Sequence, residues 1–135
     1  MSSHEHDTES ARIAADFVAA WDTGSPAIIA DRLAERLLVG DADHTTTVGR
    51  DDLLTGMSRR AEALGAASPD VAALSATLVA TEHSALGPSR LLVTATWRLA
   101  RAPGRELTLL SDFLLDVTTT PATCVAYLAR QTLPV

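Results

Sequence analysis

Leu107-Thr108-Leu109-Leu110-Ser111-Asp112-Phe113-Leu114-Leu115-Asp116-Val117 is the most apolar strand-like run of the chain, and its alternation decides the fold. Leu107, Leu109, Phe113 and Leu115 fall in one alternation class, and Leu110 and Leu114 fall in the other. An antiparallel strand with one wet face alternates apolar and polar side chains. This run is apolar on both sides, so both faces of its sheet are expected to be covered, one by helices and the other by a second subunit. Asp112 stands in the middle of it. A carboxylate there must be solvated by a cavity, paired, or held neutral, because stranding a bare charge among apolar side chains is very costly.

The neighbouring segments fit the same sheet. Val71 to His83, Arg90 to Arg101 and Thr123 to Gln131 are rich in Val, Leu, Thr or aromatic residues, and so is Glu106 to Val117. Gly87-Pro88, Pro103-Gly104 and Thr120-Pro121 separate them as turn punctuation. Strands on such short connections form an antiparallel meander.

The first half reads as helices. Ile13, Phe17 and Trp21 recur every fourth residue, Ala14 and Val18 share their face, and Gly24 ends the segment. Ser25-Pro26 is an N-cap followed by proline at the first helical position. A second amphipathic helix is expected through Ile29, Leu33 and Leu37 to Gly40. A turn-like stretch from Gly40 to Gly49 holds a short strand at Thr45 to Val48. Asp51 and Asp52 favour the start of a third helix carrying Leu53, Leu54, Met57 and Leu64, which fades before Ser68-Pro69. Helices followed by strands make an α+β domain.

Composition narrows the function classes. At 135 residues the chain fits one domain that can bury a core without disulfides or metal. A net charge of −6 provides no basic face, so nucleic acid and anionic membrane are not expected partners. No apolar run reaches membrane-spanning length, and the polar start, residues 1–7, reads as a disordered tail before a single domain over residues 8–135. With one cysteine, Cys124, there is no internal disulfide and no CxxC metal pair, so a reducing cytoplasm is the expected location. Cys124 lies among Val125, Ala126 and Leu128 and reads as a buried small hydrophobe.

Several stretches together resemble the nuclear transport factor 2-like superfamily, which includes SnoaL-like polyketide cyclases and ketosteroid isomerases. They are Phe17-Val18-Ala19-Ala20-Trp21-Asp22, Val48-Gly49-Arg50-Asp51-Asp52-Leu53-Leu54, Thr94-Ala95-Thr96-Trp97-Arg98-Leu99, Ser111-Asp112-Phe113, and Val125-Ala126-Tyr127-Leu128-Ala129-Arg130-Gln131. The resemblance covers nearly the whole chain from about Thr8. It implies a cone-shaped domain in which N-terminal helices pack on a curved antiparallel sheet of four to five strands around an apolar pocket. It also implies a homodimer joined through the sheet face. Many members work without cofactors, and others only bind a ligand or a protein.

In the ketosteroid isomerases a protonated acid on a late strand donates to the substrate oxyanion, and Asp112 falls at a similar place, one residue closer to Tyr127. Their general base sits ahead of the third helix, where this chain has Asp41-Ala42-Asp43-His44. Asp43 or His44 is therefore the candidate base, His44 because its ordinary pKa suits proton transfer near neutrality. The helix-one tyrosine donor of those isomerases is absent here, where Phe17 and Trp21 stand instead. The asparagine used by limonene-type epoxide hydrolases is absent as well, since the chain contains none. Phe17, Trp21, Trp97 and Tyr127 are the candidate ligand-lining residues, with indole and phenol groups as orienting donors. His83, next to Glu82 at a strand end, reads as solvated.

These readings converge on a pocket for a hydrophobic small molecule, with no cofactor and no metal. The leading function is acid/base isomerisation or cyclisation of a carbonyl-type substrate, with Asp43 or His44 moving the proton and Asp112 stabilising charge on oxygen. The alternative is a non-catalytic ligand-binding or dimerisation module of the same fold.

Overall fold

The computed structural model describes residues 3–23, 25–40, 43–56, 58, 76–100 and 106–132. Helix α1 spans Ser3–Asp22 and so begins inside the polar stretch read as a tail. Ala14, Phe17 and Val18 on its inward stripe are buried, with Ile13 and Trp21 packed beside them. The four-residue recurrence of apolar side chains produces that stripe. Thr23 closes the helix by donating its hydroxyl to the Ala20 carbonyl at 2.7 Å.

The short helix α2, Pro26–Ala30, starts where Ser25-Pro26 places it, with Ser25 in extended backbone geometry. The Ser25 carbonyl accepts the Ile29 N–H at 2.9 Å, while its side chain makes no cap bond.

The expected second long helix is corrected here. After Ala30 the chain turns into strand β1, Leu33–Gly40, and only Ile29 of the anticipated stripe is helical. A spacing of four residues is one helical turn, but it is also two strand repeats. Leu33 and Leu37 therefore share the inner face of a strand as readily as one side of a helix, and both are buried. Pairing on both sides settles the matter. β2, Thr45–Gly49, pairs antiparallel with β1, and β6, Thr123–Thr132, pairs parallel with it. Gly40 is required at the β1–β2 turn, because a Cβ there would lie 2.2 Å from the His44 carbonyl oxygen.

A third helical segment follows at 50–56, and Met57 and Leu64 lie outside the described residues. β3 spans Ala76–Ala85, β4 Arg90–Ala100 and β5 Glu106–Asp116. The part of the expected first meander strand before Ala76 and the Pro103-Gly104 turn lie outside the described residues. Gly87, at φ +93°, makes the β3–β4 turn.

The sheet has six strands in the order β2-β1-β6-β5-β4-β3, one more than the upper end of the expected range. All pairs are antiparallel except β1 with β6. Register shifts at Leu78/Ala80, Leu114/Leu115 and Leu33/Leu38 mark irregularities of the kind that bend strands. The helices cover one face, and the main core lies between them and Leu91, Val93, Ala95, Phe113, Leu115 and Cys124. The architecture is α+β.

Candidate functional site

Strand alternation sorts the side chains of β4 and β5 into two populations. Leu91, Val93, Ala95 and Trp97, with Ser111, Phe113 and Leu115, are buried on the inner, helix-covered face. Leu92, Thr94, Thr96, Leu110, Asp112 and Leu114 are half-buried on the outer face. By this register Asp112 lies on the face away from the helices. The residue directly before it, Ser111, turns inward instead.

The inner face carries an aromatic cluster. The rings of Phe17 and Phe113 stand edge to face with centroids 4.9 Å apart, as do those of Trp21 and Phe113. Tyr127 lies 5.0 Å from Trp21 and 5.2 Å from Phe113. Phe17 and Phe113 are fully buried, whereas Trp21 and Tyr127 are half-buried and form the outward edge of the cluster. Of the four candidate lining residues, Phe17 therefore belongs to the core, and Trp21 and Tyr127 are the more accessible.

Trp97, the fourth candidate, is 6% exposed, and its Nε1–H donates to Ser111 Oγ at 3.1 Å. A buried indole N–H needs such an acceptor. Ser111, also 6% exposed, is the one polar residue among the buried ones described. Across the strands it stands between Ala95 on β4 and Ala129 on β6. Ala95 is fully buried and Ala129 is exposed. The row thus runs from the core to solvent within two strand spacings.

His83 pairs with Val93 in the inner-face register of β3 and is half-buried. Its place inside the strand, rather than at a solvated end, was missed because Glu82 beside it is exposed on the other face. Ser111 was missed for a similar reason. Its signal was present, since it interrupts the apolar class Leu107, Leu109, Phe113 and Leu115, but the adjacent charge drew attention instead.

Asp112 is paired, one of the three fates open to a carboxylate in that run: Thr94 Oγ1 donates to its Oδ1 at 2.8 Å. Asp43 and His44 are exposed in the β1–β2 connection. That connection lies at the end of β1 where Gly40 pairs with Leu128, one residue before Ala129. Asp43 and His44 thus stand at an end of the sheet, whereas Asp112 lies within β5.

Cys124 is fully buried and donates its Sγ–H to the Ala126 carbonyl, and burial pushes its thiol up to about 12. It is core. Asp116 is held below the ordinary carboxylate value by the Thr118 hydroxyl and N–H, with Arg90 adding to the effect. The Arg90–Asp116 ion pair joins the ends of β4 and β5, and the Arg32–Asp16 ion pair joins the turn before β1 to α1. Among the described residues no cluster of three or more His, Cys, Asp or Glu side chains is placed to hold a metal ion. No helix among them is long and apolar enough to cross a membrane.

No protein-family model and no curated protein matches the sequence. Solved structures do. An NTF2-like protein with a cystatin-like fold from Novosphingobium aromaticivorans aligns with a TM-score of 0.72 at 12% identity, covering 98% of this chain and 88% of that one. A ketosteroid isomerase-like protein from Erwinia carotovora atroseptica aligns at 0.62 and 13% identity, covering 91% of this chain and 93% of that one. An NTF-2 like protein of unknown function from Shewanella oneidensis aligns at 0.60 and 15% identity over 92% and 98% of the two chains. At these identities the likeness establishes the NTF2-like fold and nothing finer.

Proposed function

We propose that the protein binds a mostly hydrophobic small molecule on the inner face of its sheet, beside Trp21, Trp97 and Tyr127. One observation carries this reading. The apolar inner face reaches solvent at Ala129, two residues along β6 from the half-buried Tyr127, whose ring stands 5.0 Å from that of Trp21. Concave apolar surfaces with a few convergent polar groups are the usual form of small-molecule sites. Equilibrium dialysis of an uncharged naphthalene-sized probe tests it: saturable binding at one site per chain, weakened about 10-fold by Ala129→Trp, is expected. Binding by the parent that Ala129→Trp leaves unchanged refutes this location.

A second reading, cofactor-independent isomerisation or cyclisation of a carbonyl-type substrate, is favoured by the position of the Asp43–His44 connection. It stands at the same end of β6 as Ala129, where a base would meet an entering ligand. The ketosteroid isomerase-like neighbour makes that chemistry the class to screen first. In this reading either Asp43 or His44 takes the proton, and Asp112, on the outer face, takes no part. Asp43→Ala or His44→Ala should lower turnover by roughly 10²-fold or more while affinity changes little. Parent-like turnover in both variants leaves only the binding function.

The outer face completes the proposal. Leu92, Leu110, Leu114 and Leu128 are only half-buried there, around the Thr94–Asp112 pair. A second copy of this chain would cover them, giving a homodimer through the sheet. Light scattering at micromolar concentration should report twice the chain mass, and a monomer would refute it.

A further inference from the structure

We propose that Ser111, with Trp97 behind it, is the hydrogen-bond donor that selects ligands carrying a neutral acceptor oxygen, such as the carbonyl of a ketone, quinone or ester. The inference rests on the inner-face binding reading and names the chemistry of its ligand. A serine hydroxyl offers one hydrogen and two lone pairs. Here one lone pair is used by the Trp97 indole N–H, and no described residue accepts the Ser111 hydrogen. A donor this buried, at 6% exposure, with no acceptor among the described residues, is costly unless something completes it. Accepting from the indole also polarises the hydroxyl and strengthens it as a donor.

The surroundings say what can complete it. Ser111's cross-strand neighbours on both sides are alanines, Ala95 and Ala129, so no bulky side chain directly opposite covers the hydroxyl. Ala129 is the exposed one, and it lies on the side that also holds the half-buried Tyr127. A flat molecule entering over Ala129 and against the Tyr127 ring therefore meets Ser111 as the first buried polar group. The described inner-face residues of β3 to β6 include no arginine, so a carboxylate or phosphate would lose its hydration without gaining an arginine partner. A neutral oxygen keeps that cost low.

The test compares two near-isosteric probes, 2-acetylnaphthalene and 2-ethylnaphthalene, by equilibrium dialysis against the full chain. The quantity read is the ratio of ketone to hydrocarbon affinity, which cancels their shared burial. In Ser111→Ala that ratio should fall about 10-fold, with hydrocarbon affinity unchanged. Ser111→Thr, which keeps a hydroxyl, should restore most of it, and Trp97→Phe should lower it part of the way. Should Ser111→Ala fail to fold by circular dichroism, Ser111→Cys, with a weak donor of similar size, serves in its place. An unchanged ratio in the serine variants would mean that Ser111 only satisfies Trp97, and the inference fails while the binding reading stands. If the parent binds neither probe, the binding reading fails and this inference with it.

Discussion

The two faces of β5 carry side chains of similar apolarity and treat them differently. Inside, Phe113 and Leu115 are sealed from water between the flanking strands β4 and β6, and Phe113 also meets Phe17 and Trp21 of α1. Outside, Leu110 and Leu114 are half-buried with only the flanking strands for company. The polar residues follow the same division. Ser111, inside, accepts from a buried indole and donates to no described residue, whereas Asp112, outside, accepts a hydrogen bond from the Thr94 hydroxyl. Adjacent positions in sequence thus stand on opposite faces of one sheet, with different partners.

Substitutions on the inner face should show the largest effects. Phe113→Ala removes the ring that meets Phe17, Trp21 and Tyr127, and it should cost about 3–5 kcal/mol in urea unfolding. Leu114→Ala should cost about 1–2 kcal/mol in dilute solution, because half of that side chain is already wet. Equal costs would erase the difference between the faces. A Leu114→Ala cost that grows with protein concentration would instead show that a second copy buries the outer one.

Cys124 extends the comparison to reactivity. Its neutral thiol should react with a disulfide reagent at pH 8 at least about 10²-fold more slowly in the folded protein than in urea. The linkage has a definite sign. The unfolded thiol ionises near about 8.5, while the folded one holds its proton to about 12. That part of the stability is therefore complete below the unfolded value and is lost as pH rises toward 12. Rapid labelling of the native protein would mean that the inner face opens at Cys124.

On the outer face, Asp112→Asn keeps an acceptor oxygen for Thr94 and should change stability by less than about 1 kcal/mol. It should also leave probe binding at the parent value, since the inner face does not see it. A loss of several kcal/mol would reveal a buried charge partner, and a loss of binding would return Asp112 to the site.

The smallest effect is expected at the turn after β5. Thr118→Val removes the hydroxyl that most lowers the Asp116 carboxyl, so carbon-detected titration should show that carboxyl moving back up. Because the folded value is depressed, Asp116 contributes stability above the unfolded carboxylate range, which is lost as pH falls through the folded value. An unmoved titration would assign the depression to the Thr118 N–H and Arg90 instead.

The boundaries of the meander were legible to within a residue or two from Arg90 onward, because Gly87, Pro88 and Pro121 interrupt runs whose period is two. The segment from Leu33 to Gly40 was not. Its apolar spacing satisfies both periods, and only its pairing with Thr45–Gly49 and with a strand some ninety residues later decides between them. The candidate site divides the same way. The aromatic residues Phe17, Trp21, Trp97 and Tyr127 all came to the inner face, as their place among apolar neighbours requires. Ser111 went unread beside a charged neighbour.

The amino-acid sequence alone determined the class of the fold, the doubly apolar central strand, and the need for Asp112 to be compensated, since all three follow from local periodicity and the cost of burying charge. Only the tertiary structure decided which face of that strand is the inside. Side chains alternate with a period of two, and both alternation classes are apolar, so the local pattern is nearly the same whichever face the helices cover. The packing of α1 against Phe113 breaks that symmetry, turns Ser111 inward, and leaves Asp112 to Thr94 on the other face.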